Sequence, residues 1–517
     1  MADSDSTKEQ LRASQSTGAL SWPNQLGVFG LLLLFALLLR FPFFFPAVVD
    51  WDEGTQVLMG QSILDGHLPY IELWDNKPPL SFAFYALACA VSGKDLVVIR
   101  LAGTVCVVAT AFFVYLTGSR LWTRGTGMIA AALCIAATSL LQSGQAMMPE
   151  HVLLVPLVGA LYLLIRKEVS AQTMFVVGVL MATATLVRQN IGYVVIVVGL
   201  YLLMEAVRSP MNAARLIAGY SVGGILVIAT IWIPYGLAGQ QDILWKSVIT
   251  APLAYADSQY SVFKSLLIEL KYAYRFEVRW LNAFVWLGAL GSLTTVFLRW
   301  QRTGELERRG ITLLFLFMVG TGFGILMSGA AEEHYMIQLA PFAAVLAASL
   351  IHQFPRTLRW PSVLLLGAVM SVSIIPVLSE YKAMVLRAMA GEHLRHGAAY
   401  EIAAYLRREN RSRRPVYLLT DDHIAYWLLD SYPPTNITHP SDIAKPYLLN
   451  AVFGKDDSTE EELRKVFRKS PEFVVTQADI WYLHGNSKTL LNRILGEEYL
   501  LTAQIEGRKI YRLKSKA

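Results

Sequence analysis

Apolar residues in this chain gather into runs of membrane length. They lie near 26–47, 97–117, 126–142, 152–165, 173–187, 190–206, 216–236, 280–298, 311–327, 336–352 and 361–378. A helix rises about 1.5 Å per residue, and about 20 residues cross a hydrocarbon core. In lipid the backbone must satisfy its own hydrogen bonds, so these runs predict membrane helices. A further apolar stretch, 79–93, begins with two prolines and is short for a span. Beyond about residue 380 the long runs stop. Glu401 to Arg408 has a helical pattern, Val416-Tyr417-Leu418-Leu419 and Phe473-Val474-Val475 read as short buried strands, and Ile505 to Leu513 as a terminal strand or hairpin. The chain is therefore read as a polytopic α-helical membrane protein with a small C-terminal α/β domain.

Charge orients this pattern. With 79–93 taken as a re-entrant or surface helix, the loops bearing Arg120/Arg124, Arg166/Lys167, Arg208/Arg215, Arg299/Arg302/Arg308/Arg309 and Arg356/Arg359 share one side. Basic loops mark the cytoplasm. The polar, Ser-rich tail 1–25 then starts in the cytoplasm, the first apolar run is a retained anchor, and the loops 48–95 and 237–279 and residues 381–517 are extracytoplasmic. Within 237–279, Val262, Phe263, Leu266, Leu267, Leu270 and Tyr274 recur at helical spacing, with Lys264, Lys271 and Arg275 between them. That predicts an amphipathic helix, lying on the membrane or packed on other loops.

Composition agrees: 54% of residues are hydrophobic and 16% charged, where a soluble chain carries about a quarter charged. The net charge of +6 is scattered between apolar runs, as topology signals are, and does not form a nucleic-acid surface. Cys89, Cys106 and Cys134 sit inside apolar stretches without paired spacing, which suits packing better than metal or redox work.

The chemistry-bearing residues concentrate at membrane edges. Asp50-Trp51-Asp52-Glu53-Gly54 directly follows the first apolar run. Clustered carboxylates resist burial, and a general base is the functional reading for Asp52, with Asp50 and Glu53 raising its proton affinity. A helix N-cap is the structural alternative. In Asn76-Lys77-Pro78-Pro79-Leu80 the prolines stiffen the chain after a cation suited to phosphate. A lysine snorkelling to the interface is the alternative there. Glu332-Glu333-His334-Tyr335, Glu150-His151 and Arg188-Gln189-Asn190 fall on the same side. An arginine at such depth demands an anionic partner, from a ligand or from an acidic loop residue. Together these groups suit an anionic lipid headgroup plus one base. A lipid-phosphate-linked sugar fits, because its phosphate leaves with cationic help and needs no separate acid.

The run Asp52-Glu53-Gly54, then Asn76-Lys77-Pro78-Pro79-Leu80, Arg100-Leu101, Gly118-Ser119-Arg120-Leu121-Trp122 and His334 to Pro341, resembles the GT-C membrane glycosyltransferases. Within that class it is most similar to the bacterial protein mannosyltransferase and aminoarabinose/galacturonic acid transferase superfamily, over roughly 26–380. The resemblance implies a GT-C module of about 11–13 transmembrane helices at 26–380, a polyprenyl-phosphate sugar donor, inverting transfer, and a lipid or glycan acceptor of lipopolysaccharide type at the periplasmic face of a bacterial inner membrane. It makes Asp52 the base and Glu53 its neighbour, and assigns Lys77, Glu150, Arg188, His334 and Tyr335 to the substrates. Asn76 stands where some relatives have an acidic residue or histidine, which leaves a divalent metal open. A protein O-glycosyltransferase of the same superfamily, a transporter or lipid flippase, and a non-catalytic assembly protein are the rival readings. No matched halves with broken spans favour a transporter.

Overall fold

A computed structural model describes residues 22–141, 143–166, 168–258, 260–273, 278–410, 413–454 and 458–514. The expectations for the tail up to residue 21, and for Tyr274 and Arg275, fall outside the described residues. The chain is mostly helical. Its first half runs through α1 (Trp22–Arg40), α2 (Trp51–Leu64), α3 (Pro79–Ser92), α4 (Leu96–Leu121), α5 (Arg124–Leu140), α6 (Pro149–Leu164), α7 (Ala171–Val187), α8 (Gly192–Arg208) and α9 (Pro210–Leu237). Then follow α10 (Val262–Ala273), α11 (Arg279–Leu298), α12 (Glu305–Leu326), α13 (Ala340–Gln353), α14 (Arg356–Ser373), α15 (Ile375–Met389) and α16 (Ala398–Glu409). Each apolar run read from the sequence falls mostly on these helices, with 361–378 divided between α14 and α15.

Among the described residues, seven helices are long and apolar enough to cross a membrane, and the pair α14–α15, bent by 42°, adds an eighth if it is one span. α3, α5, α6 and α7 are apolar but shorter, at 10–17 residues. α3 has 14 residues and Pro79 at its first turn, where a missing N–H costs nothing. It packs back on α2 as a hairpin, and a Cβ at Gly60 of α2 would stand 2.7 Å from the Ala86 backbone nitrogen. The last apolar run, 361–378, is where the structure departs from a simple span: the helix breaks at Ile374, just before Pro376 of the next helix.

Two helices cross at the distance only glycine allows. A Cβ on Gly178 of α7 would lie 2.1 Å from the Tyr220 carbonyl oxygen, and one on Gly223 of α9 would lie 2.1 Å from that of Phe175. Without a hydrophobic force between helices in lipid, such close backbone contact is a main source of attraction.

α10 is the helix that the periodicity predicts, and its orientation is informative. Val262, Phe263, Leu266, Leu267 and Leu270 are exposed, whereas Ser265 and Glu269 are buried. It therefore packs on the protein by its polar face and turns its apolar face outward. Burial, then the neighbouring Glu332, pushes the Glu269 carboxyl up to about 8.

The C-terminal part holds one sheet, β1 (Val416–Leu419), β2 (Phe473–Thr476), β3 (Tyr499–Ile505) and β4 (Arg508–Leu513), in the order β1-β2-β4-β3. β1 and β2 are parallel, and β4 runs antiparallel to β2 and β3. β1 and β2 are buried at every residue, which is why they read as continuous apolar runs and not as alternating ones. The sheet's region reaches the membrane helices through the α2 face. Gly54 leaves room for it: a Cβ there would meet Ile424 Cβ at 3.2 Å and His423 Nε2 at 3.3 Å.

Candidate functional site

The site begins at the N-terminus of α2. Asp50 is its N-cap, accepting the Asp52 N–H at 2.8 Å, and its other oxygen accepts from the Ser143 hydroxyl. The capping role thus belongs to Asp50, which leaves the Asp52 carboxylate for other partners. Lys77 Nζ stands 3.3 Å from Asp52 Oδ2 and 3.3 Å from Asp75 Oδ2. His439 Nε2 stands 3.1 Å from Asp52 Oδ1, off the ideal hydrogen-bond direction. The Asp52 side chain is 17% exposed, enough to be reached from solvent.

The expectation that neighbours raise the proton affinity of Asp52 is corrected. Burial pushes it up, but Lys77 and then His439 outweigh burial and hold it well below the usual carboxylate range. Asp50 is the member of the pair whose proton affinity rises, through burial and then through Asp52. Burial alone would lower the proton affinity of Lys77; Asp52 and Asp75 raise it, so Lys77 stays a cation.

Glu53 does not reach this site. It is 2% exposed and forms a buried ion pair with Arg100, Nη2 to Oε2 at 2.7 Å, while accepting the Met147 N–H at 2.7 Å. Arg100 also donates to the carbonyls of Phe43 at 2.9 Å and Pro46 at 2.5 Å. Residues 52 and 53 are about 100° apart around a helix, so one faces the site and the other faces α4.

Arg188 finds its anionic partner inside the protein: it pairs with Glu150, which is fully buried. The Arg188 guanidinium lies 4.5 Å from the Tyr335 ring centre, and His334 Nε2 lies 3.9 Å from Glu150 Oε1. Glu150 therefore sits behind Arg188, while Arg188, His334 and Tyr335 face an open space.

That space is a cavity of about 1100 Å³. Asp52, Lys77 and Arg188 line it together with Tyr335, His439 and Lys445. The sequence reading missed the contributions of the C-terminal region: His439, Lys445 with its partner Asp442 at 2.7 Å, and Trp481. No spacing or motif marks them, because only the folded chain brings residues beyond 420 against α2. Asp75 had a signal, its place beside Asn76-Lys77, but the sequence reading did not use it. Among the described residues, no group of three or more His, Cys, Asp or Glu is placed to hold a metal ion.

Chemically, the cavity offers the ionised Asp52 carboxylate within reach of a hydroxyl, with cations beside it and aromatic walls. The chain is also similar to known proteins. The family model described as dolichyl-phosphate-mannose-protein mannosyltransferase matches residues 76–233. No protein of curated function matches the chain in sequence. Among solved structures, ArnT from Cupriavidus metallidurans bound to undecaprenyl phosphate is similar with a TM-score of 0.61 at 13% identity, over 96% of this chain and 99% of that one. Its apo state gives 0.58 at 12% identity, over 94% and 96%. AglB, the archaeal oligosaccharyltransferase of Archaeoglobus fulgidus, in complex with an inhibitory peptide and a dolichol-phosphate, gives 0.50 at 11% identity, over 96% of this chain and 75% of that one. Identities this low establish a shared fold.

Proposed function

We propose, from the premise that this chain has the fold of the GT-C membrane glycosyltransferases, that it is an inverting glycosyltransferase. It moves one sugar from a polyprenyl-phosphate donor to a lipid or envelope glycan acceptor at the periplasmic face of a bacterial inner membrane. The observation that carries this reading is the Asp52 carboxylate, ionised and reachable, held beside Lys77 in a cavity of about 1100 Å³. Similar structures are bound to undecaprenyl phosphate or a dolichol-phosphate, which supports the donor class.

In the proposed reaction an acceptor hydroxyl gives its proton to Asp52 as its oxygen attacks the anomeric carbon. The bond from that carbon to the phosphate oxygen breaks, and the phosphate leaves with the electron pair. Lys77 and Arg188 stabilise the departing negative charge, with Tyr335 and His334 shaping the wall beside Arg188. Glu53 and Glu150 take supporting places here: one anchors α2 and the other holds Arg188. The tail 1–25 is cytoplasmic, 26–380 is the catalytic module, and 381–517 is periplasmic.

The test is sugar transfer by the purified protein in lipid nanodiscs from labelled polyprenyl-phosphate donors. Transfer that disappears in Asp52→Asn supports the reading. A protein that transfers no sugar from any such donor, yet moves the lipid between leaflets, is a flippase.

A further inference from the structure

His439 belongs to a part of the chain that no motif connects with catalysis, yet it touches the candidate base. It is 5% exposed and reaches Asp52 Oδ1 at 3.1 Å, while Lys77 takes the other carboxylate oxygen. Its far nitrogen is committed elsewhere. Nδ1 accepts the Ser441 backbone N–H at 3.3 Å and meets the Ser441 hydroxyl at 2.9 Å. A ring nitrogen that accepts a backbone N–H carries no proton, so the hydrogen of a neutral imidazole sits on Nε2, which stands 3.1 Å from Asp52 Oδ1 though off the ideal hydrogen-bond direction.

The ring is also fixed in place. It stands edge-on to Trp51 with ring centres 4.3 Å apart. The chain just before it is laced to the loop that carries Asp75 and Lys77: Trp74 N–H donates to Asn436 O at 2.6 Å, and Thr438 N–H to Trp74 O at 3.0 Å. Base, cation and imidazole are thus set by one short backbone ladder between the first loop and the C-terminal region.

From this geometry we infer that His439 is a positioning residue for Asp52: it holds the carboxylate's orientation and keeps it ionised. The inference rests on the reading of Asp52 as the base, and it makes the C-terminal region part of the active site. Asp52 is also faced by Asp50 on its own element, by Lys77 and Asp75 from the loop before α3, by Arg188 after α7, and by Glu332 and His334 before α13. Lys77 is the strongest of these, so loss of His439 weakens the ionised state without abolishing it.

The experiment is an infrared pH titration of the full-length protein in nanodiscs, in which the carboxylic-acid band lost in Asp52→Asn reports Asp52. It needs no sugar transfer, so it separates this inference from the reaction proposed above. In His439→Ala the band's midpoint should move to higher pH, and in His439→Gln, whose amide can still donate, it should return part of the way. In the transfer assay the alanine variant should lose about tenfold in kcat at neutral pH, with donor KM little changed and the acid limb of the profile moved upward. If His439→Ala does not fold, the glutamine variant must still show a smaller upward shift. A midpoint equal to wild type in the folded variants overturns the inference. So does a loss of activity with an unmoved midpoint, because His439 would then serve only packing.

Discussion

At the scale of single residues, adjacent acids face opposite ways, Asp52 into the cavity and Glu53 toward Arg100. Asp52→Asn should keep the fold and lose about a hundredfold to ten-thousandfold in turnover at saturating donor, read with well-folded purified protein. Near-normal turnover would remove Asp52 as the base. Lys77→Ala should weaken donor use about tenfold to a hundredfold, with partial rescue by arginine, read as kcat/KM for donor. Glu53→Gln should behave differently. It leaves Arg100 buried without its charge partner, and removing one member of such a pair costs about 3 to 5 kcal/mol. The loss should appear in thermal unfolding, with residual turnover in whatever protein survives. The motif singled out these carboxylates, and Asp52 and Lys77, which it named together, line one cavity. It did not show which way each points, since that depends on the helix phase set by the Asp50 cap. The sign of the effect on Asp52 was lost for the same reason: Glu53 is occupied by Arg100, and Lys77 is the charge that counts.

At the scale of elements, the sequence read well wherever burial is simple. The strand Val416–Leu419 and the first three residues of Phe473–Thr476 appear as predicted, because a fully buried strand is an unbroken apolar run. α10 was legible as a helix, but its outward apolar face was not, because periodicity does not say which face meets protein. That face makes a testable case. With Glu269 pushed up to about 8, the folded state binds a proton that the unfolded segment releases nearer 4.5. The packing of α10 should therefore be strongest in acid and loosen as pH rises through 8. Hydrogen exchange of residues 262–273 at pH 6 and pH 9 should show faster exchange at the higher pH beyond the intrinsic rate change. Glu269→Gln should remove that difference. The α7–α9 crossing gives a second case. Gly178→Val places its branch against the Tyr220 carbonyl and should destabilise the fold by about 1 to 3 kcal/mol or more, read as a lower thermal midpoint in detergent.

At the scale of the whole molecule, the most consequential contacts join segments far apart in sequence. Asp52 meets His439, and Gly54 gives room to His423 and Ile424. Such contacts leave no local trace, which is why this wall of the cavity was illegible beforehand. The orientation remains a prediction of charge. A reporter fused within the basic segment 299–310 should lie in the cytoplasm, and one near residue 400 outside it. The opposite result would place α3 across the membrane and move the cavity to the other face.

Lys77 bridges two carboxylates, and that arrangement can act as a latch. A phosphate arriving beside Lys77 competes with Asp52 for the same ammonium. Under the proposed function, a cation drawn toward that anion would free Asp52 from the influence that most depresses its proton affinity and would make it a stronger base. The donor would then arm the base that uses it. The free enzyme governs the acid limb of kcat/KM, and the loaded enzyme governs that of kcat. The limb for kcat should therefore lie at the higher pH. Coincident limbs would mean that Lys77 never leaves Asp52.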